Sequence, residues 1–197
     1  MGQGLFEMTT LPPCPFKLRP YQEAAIEAIR HRFREGDHAT LLELATGMGK
    51  TVTFSVIARK AVEKGGRVLV LAHRKELVNQ AADTLYDAGL SPGIEMASHE
   101  ARLESDGSVV VASVQTMKGE RLRSWDPNHF SLIITDEAHH ATAPSYGVVY
   151  DHFHSARHLG VTATPDRGDE VKLGIVFDSV AYRMGIREGI TAPSPGP

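Results

Sequence analysis

Cysteine is almost missing from this sequence. Cys14 is the only one in 197 residues, so an internal disulfide is excluded and a cysteine-based metal site is not expected. Long apolar runs are missing too. Nothing approaches the roughly 18 residues that cross a bilayer, so no membrane partner is expected. The opening stretch, Met1 to Thr10, lacks the basic region and apolar core of a secretory signal, and an intracellular protein is expected. Positive charge is not in excess either. The net charge is −3, whereas proteins that grip nucleic acid by bulk electrostatics are usually basic. Any strand contact must therefore be local, and weak for the chain alone. The hydrophobic share of 42% and charged share of 23% suit one globular domain with tails.

The punctuation of the chain predicts an alternation of strands and helices. Met1 to Pro15 has no periodicity, ends in Pro12-Pro13-Cys14-Pro15, and reads as a loose arm. Pro20 suits a first helical turn, and Tyr21, Ala25, Ile29 and Phe33 then mark one helical face up to Gly36. Strands are expected at Thr40–Leu44, Val68–Ala72, Ile94–Ala97, Val109–Ala112, Leu132–Thr135 and Leu159–Thr162. Helices are expected at Thr51–Lys64, stopped by Gly65-Gly66, at Lys75–Ala88, and for a short stretch from Val114. Such alternation predicts an α/β fold, a mainly parallel sheet with helices on both faces. Its ligands would bind at the carboxyl ends of the strands. Thr191 to Pro197 reads as a disordered tail, and no internal repeat is present.

Two motifs fall at those carboxyl ends. Ala45-Thr46-Gly47-Met48-Gly49-Lys50-Thr51 follows the first strand. A loop that wraps phosphates needs inward backbone N–H groups and no obstructing side chains, hence Gly47 and Gly49. The helix beginning near Lys50 adds its positive end. In this pattern Lys50 reaches the β- and γ-phosphates of ATP, and the Thr51 hydroxyl ligates Mg²⁺. One departure stands out: the full pattern has a glycine where this chain has Leu44. The second motif, Asp136-Glu137-Ala138-His139, follows the apolar run Leu132-Ile133-Ile134. Two carboxylates directly behind a buried strand repel each other unless a cation is present. Asp136 is expected to hold Mg²⁺, and Glu137 to orient and deprotonate the attacking water.

From Leu18 to Ile190 the chain resembles the N-terminal RecA-like domain of a superfamily 2 helicase or translocase of the DEAH type. It is most similar to the group of type III restriction subunits, XPB-like and RadD-like enzymes. Leu18-Arg19-Pro20-Tyr21-Gln22 resembles the adenine-recognition motif, which implies that Gln22 reads the adenine edge and that Arg19 or a nearby aromatic stacks on the base. Leu71-Ala72-His73-Arg74-Lys75-Glu76-Leu77 and Ala112-Ser113-Val114-Gln115-Thr116 resemble motifs that touch one nucleic-acid strand. That implies contacts from His73, Arg74, Gln115 and Thr116. Gly160-Val161-Thr162-Ala163-Thr164-Pro165 resembles the coupling motif, with Thr162 and Thr164 bonding to the acidic motif through His139. DNA is the partner the resemblance implies. His140, His152, His154 and His158 are irregularly spaced, and no metal site is expected of them.

The resemblance also implies what lies elsewhere. Motors of this kind close ATP between two RecA-like domains, and the second supplies arginine fingers. Only about 30 residues follow Pro165, and Arg167, Arg183 and Arg187 do not follow a second domain's pattern. A second domain is therefore expected outside this chain, and Phe177 to Arg183 resembles the closing stretch of the first. Two alternatives remain: a nucleotide-dependent docking module without motor activity, and a small-molecule kinase. The intact Lys50, Asp136 and Glu137 weigh against the first, and the unexplained Arg-Pro-Tyr-Gln and Thr-Ala-Thr-Pro elements against the second.

Overall fold

The computed structural model describes residues 11–96, 101, 108–163 and 171–185. They form helices α1 (Pro20–Glu35), α2 (Lys50–Val62), α3 (Lys75–Asp87), α4 (Gly119–Arg123) and α5 (Pro144–His152). The strands are β1 (Ala39–Leu44), β2 (Val68–Ala72), β3 (Gly93–Glu95), β4 (Val109–Ser113), β5 (Leu132–Asp136), β6 (Arg157–Thr162) and β7 (Ser179–Met184). All seven join one sheet in the order β3-β4-β2-β5-β6-β1-β7, and every pairing is parallel.

Parallel strands must be covered on both faces, and the alternation of side chains does this. Leu42, Leu44, Val68, Val70, Val111, Ile134 and Val161 pack with residues of α1, α2 and α3 on one face. Leu69, Leu71, Val110 and Ile133 turn the other way, against Trp125, Phe130 and the α5 residues Tyr146 and Val149. Tyr21, Ala25 and Ile29 are buried as their spacing predicts. Among the described residues no helix is long and apolar enough to cross a membrane.

Four expectations change. The stretch after Ser113 forms turns, with the N–H groups of Thr116 and Met117 both donating to the Ser113 carbonyl, and the helix waits until Gly119. The strand expected at Ile94–Ala97 runs over Gly93–Glu95, and Ala97 lies outside the described residues. Of the expected loose arm, Leu11 packs against the core and the Pro12 carbonyl accepts from the buried Arg59 guanidinium. The same Arg59 donates to the Ala88 carbonyl and pairs with Glu63. Residues 1–10 and 191–197 lie outside the described set. Helix α5 has no counterpart in the sequence reading, because Gly147 and the paired valines Val148 and Val149 blur its apolar face.

His158 of β6 is buried between the His38 and Tyr150 rings, and its Nε2 has no hydrogen-bond partner. Burial pushes its pKa down from 6.5 to about 4. The unfolded chain therefore takes up this proton first as pH falls. The stability this neutral ring contributes is complete above pH 6.5 and lost as pH falls toward 4. The loss should approach roughly 3 kcal/mol. Urea midpoints across that range should fall more steeply for the wild type than for His158→Leu; equal slopes would contradict a buried neutral ring.

Candidate functional site

The register of the sheet brings three sequence motifs to one edge. Glu43 of β1 is level with Thr162 of β6, and Asp136 of β5 with Val161. The turn Ala45–Gly49 after β1, the acidic pair after β5 and the end of β6 therefore emerge together. Leu44 explains the departure from the glycine pattern. It is the last residue of β1 and fully buried, so the chain is still extended where the pattern has its first glycine. Gly47 and Gly49 carry positive φ angles of 83° and 72°, which glycine tolerates without strain. Gly49 is the N-cap of α2, and Lys50 and Thr51 open its first turn, whose N–H groups have no intrahelical acceptor.

Helix α1 holds this loop from the side. The Tyr21 hydroxyl donates to the Met48 carbonyl at 3.1 Å, and Arg19 donates to the Tyr21 hydroxyl. The Gln22 amide donates to the Gly49 carbonyl at 3.3 Å and to the Thr53 hydroxyl at 3.1 Å, while its oxygen accepts from the Arg19 N–H. Gln22 is thus buried and engaged on both polar ends, by the loop and α2 through its nitrogen and by the start of α1 through its oxygen, rather than displayed for a base. Tyr21, legible in the sequence only as an apolar helix position, is a loop anchor. Thr46 is exposed and Met48 is buried beneath the loop.

The acidic pair is electrostatically crowded. Burial, and then the neighbouring Glu137 carboxylate, raise the Asp136 pKa; the Glu137 N–H, Lys50 and His139 pull it back. Glu137 has φ 50°, the only positive value outside glycine among the described residues, a backbone cost of about 1–3 kcal/mol typical of functional sites. Its own N–H donates to Asp136 Oδ1 at 3.0 Å. His139 Nδ1 stands 3.3 Å from Glu137 Oε2 and 3.3 Å from Thr162 Oγ1. Thr164 lies outside the described residues.

The turns after β2 and β4 adjoin this edge. His73 follows β2, and its Nδ1 lies 3.2 Å from the Gln115 amide nitrogen. Arg74 is the exposed N-cap of α3, and Thr116 is half-buried beside Gln115. The four residues expected to touch a strand thus share one surface. One buried pair went unread: Glu43 of β1 is 1% exposed and bound by Arg183 of β7. An acidic residue between Leu42 and Leu44 was its signal. Of the histidines, His152 meets the Trp125 carbonyl, His140 stacks on His73, and His154 is exposed. A cavity of about 600 Å³ between Ile29, Phe33, Ile57 and Leu132 opens at the amino ends of the strands, away from this chemistry.

A Cβ on Gly49 would sit 2.7 Å from the Gln22 amide nitrogen, on a backbone at φ 72°. Gly49→Ala should therefore break the Gln22 contacts and cost about 1–2 kcal/mol. Thermal unfolding checks this, and an unchanged midpoint would mean that α1 does not clamp the loop.

Residues 15–167 match the family described as "Type III restriction enzyme, res subunit". The chain is 40% identical over 188 residues to a putative ATP-dependent helicase, IRC3, of Saccharomyces cerevisiae, covering 88% of this chain and 27% of that protein. It is 31% identical over 183 residues to the type I restriction enzyme EcoAI endonuclease subunit of Escherichia coli, covering 87% and 22%. The chain thus spans about a quarter of the length of these relatives. Among solved structures, the Hef helicase domain of Pyrococcus furiosus superposes with a TM-score of 0.66 at 26% identity, over 84% of this chain and 38% of that one. The Type ISP restriction-modification enzyme LlaGI, in complex with a DNA substrate mimic, gives 0.67 at 25% identity, over 89% and 20%. The parallel sheet with its glycine turn and acidic pair on one edge is a RecA-like domain, and with the match across most of its length the chain belongs to the type III restriction enzyme res subunit family.

Proposed function

We propose that this chain is the ATP-binding domain of a DNA-dependent ATPase of the DEAH type. The whole protein would be a helicase or translocase that couples hydrolysis to movement on, or remodelling of, nucleic acid in repair or restriction. The observation that carries this reading is the convergence of Lys50, Asp136 and Glu137 on the sheet edge that also presents His73 and Gln115. A domain that only docked a partner would have no use for a second carboxylate in a strained backbone conformation.

Gly47, Gly49 and the first turn of α2 offer N–H groups to the phosphates, and Lys50 offers its ammonium. The donor set suits Mg²⁺: a hydroxyl at Thr51 and a carboxylate at Asp136 whose burial beside Glu137 leaves negative charge uncompensated. When bound, Mg²⁺ neutralises phosphate charge as the terminal group departs. Glu137 orients the attacking water and accepts its proton. For Gln22 to read adenine, its amide must exchange the Gly49 and Thr53 contacts for the base. The relatives' greater length fits a second RecA-like domain that completes the site with arginine, so the 197-residue chain should turn over more slowly than about 1 s⁻¹.

The test is phosphate release from Mg²⁺-ATP with and without single-stranded and duplex DNA, alongside calorimetric titration of nucleotide. Lys50→Ala should weaken ATP binding roughly 10- to 100-fold, as loss of a charge-assisted hydrogen bond does; an unchanged affinity would refute the phosphate loop. Glu137→Gln should bind ATP normally and lose turnover in the protein with both domains. Normal turnover by that variant would place water activation elsewhere.

A further inference from the structure

A continuous chain of ring and side-chain contacts crosses the carboxyl edge of the sheet, and its inner member His140 has no part in the chemistry above. At one end is Gln115. Its oxygen accepts from the Ser113 hydroxyl, so its nitrogen faces His73, and the His73 Nδ1 at 3.2 Å must be the acceptor. The His73 ring then stacks on His140, with centroids 4.7 Å apart and planes at 29°. His140 in turn packs against His139 at 4.1 Å. Burial, then the neighbouring His139 and His73 charges, lower the His140 pKa; Glu137 opposes them, and Arg74 contributes last.

At the other end, His139 has two partners. Its Nδ1 is equidistant, at 3.3 Å, from Glu137 Oε2 and Thr162 Oγ1. One ring nitrogen carries at most one proton. With the ring aimed at Glu137, Nδ1–H holds that carboxylate in place; with the ring turned toward Thr162, the hold is loosened. The neighbouring His140 ring limits which tilt is available. A two-state element of this kind is what allows one site to bias another.

We propose that His140 and His73 are positioning residues whose stacked rings convey strand arrival at the Gln115 turn to His139, and so decide whether Glu137 is held or released. This rests on the reading of Glu137 as the water-activating carboxylate and of Gln115 as a strand contact. Neither His140 nor His73 touches the reacting atoms in this scheme.

NMR of the 197-residue chain tests it without requiring turnover. Oligodeoxythymidine is titrated into the ATP-bound wild type, His140→Ala, His140→Gln and His140→Phe, following the Gln115 side-chain amide and the His139 ring resonances. In the wild type both should shift together. In His140→Ala and His140→Gln the Gln115 amide should still shift, while the His139 response is lost. His140→Phe, which keeps a stacking ring, should restore it. A His139 response that survives both ringless variants, or that Phe fails to restore, overturns the relay. If the Gln115 amide of the wild type does not respond to the oligonucleotide, the strand-contact reading itself fails, and the relay with it.

Discussion

An ionised carboxylate removed from water needs opposite charge nearby, and Asp136 is removed from water with a second carboxylate beside it. Much of the edge is arranged around that constraint. Lys50 stands across from the pair because β1 and β5 flank β6 in parallel register. His139 lies close enough to both carboxylates to act on each. The Glu137 N–H bonds Asp136, and the left-handed backbone of Glu137 then sets where its own carboxylate goes. The arrangement remains short of positive charge, the condition under which the proposed site would take a cation together with an anionic ligand.

The phosphate loop has little structure of its own and takes its shape from its surroundings. Met48 fills the core beneath it, while Tyr21 and Gln22 hold its carbonyls from α1. The orphan polar groups of a turn are thereby satisfied. Helix α1 is fastened to the sheet by the apolar face of Ala25, Ile26 and Ile29. The pattern that buries a helix thus also sets the loop, and it does so through the residues most naturally assigned to recognising a base.

This division explains what could be read from the chain. Glycines at Gly47 and Gly49, a lysine and an acidic pair each behind an apolar run are local signals, and the strands carrying them were placed within a residue or two. The alternation of apolar runs with helical faces was sufficient for an α/β parallel sheet. What stayed hidden depends on pairs distant in sequence. The Tyr21–Met48 bond, the Glu43–Arg183 pair and the His73–His140 stack are created by the strand order β2-β5-β6-β1-β7, which no local window contains. Docking of Pro12 on Arg59 was hidden likewise, since a proline-rich segment reads as loose until its carbonyl has a partner. Helix α5 was missed for a local reason: β-branched residues and a glycine weaken helical propensity, and tertiary burial of Tyr146 and Val149 overrides it.

Strand β1 carries the phosphate loop near the start of the chain, yet its sheet neighbours are β6 and β7. The N–H groups of His38 and Ala39, at its entrance, are held by Asp178, 140 residues beyond His38. Contacts of such separation form late, because the intervening chain must first be closed into a loop. During synthesis, the strand that aims Gly47 and Lys50 has no partner until almost the whole domain has emerged. The proposed nucleotide site is therefore among the last parts of the domain to form, although its most recognisable sequence is among the first to be made.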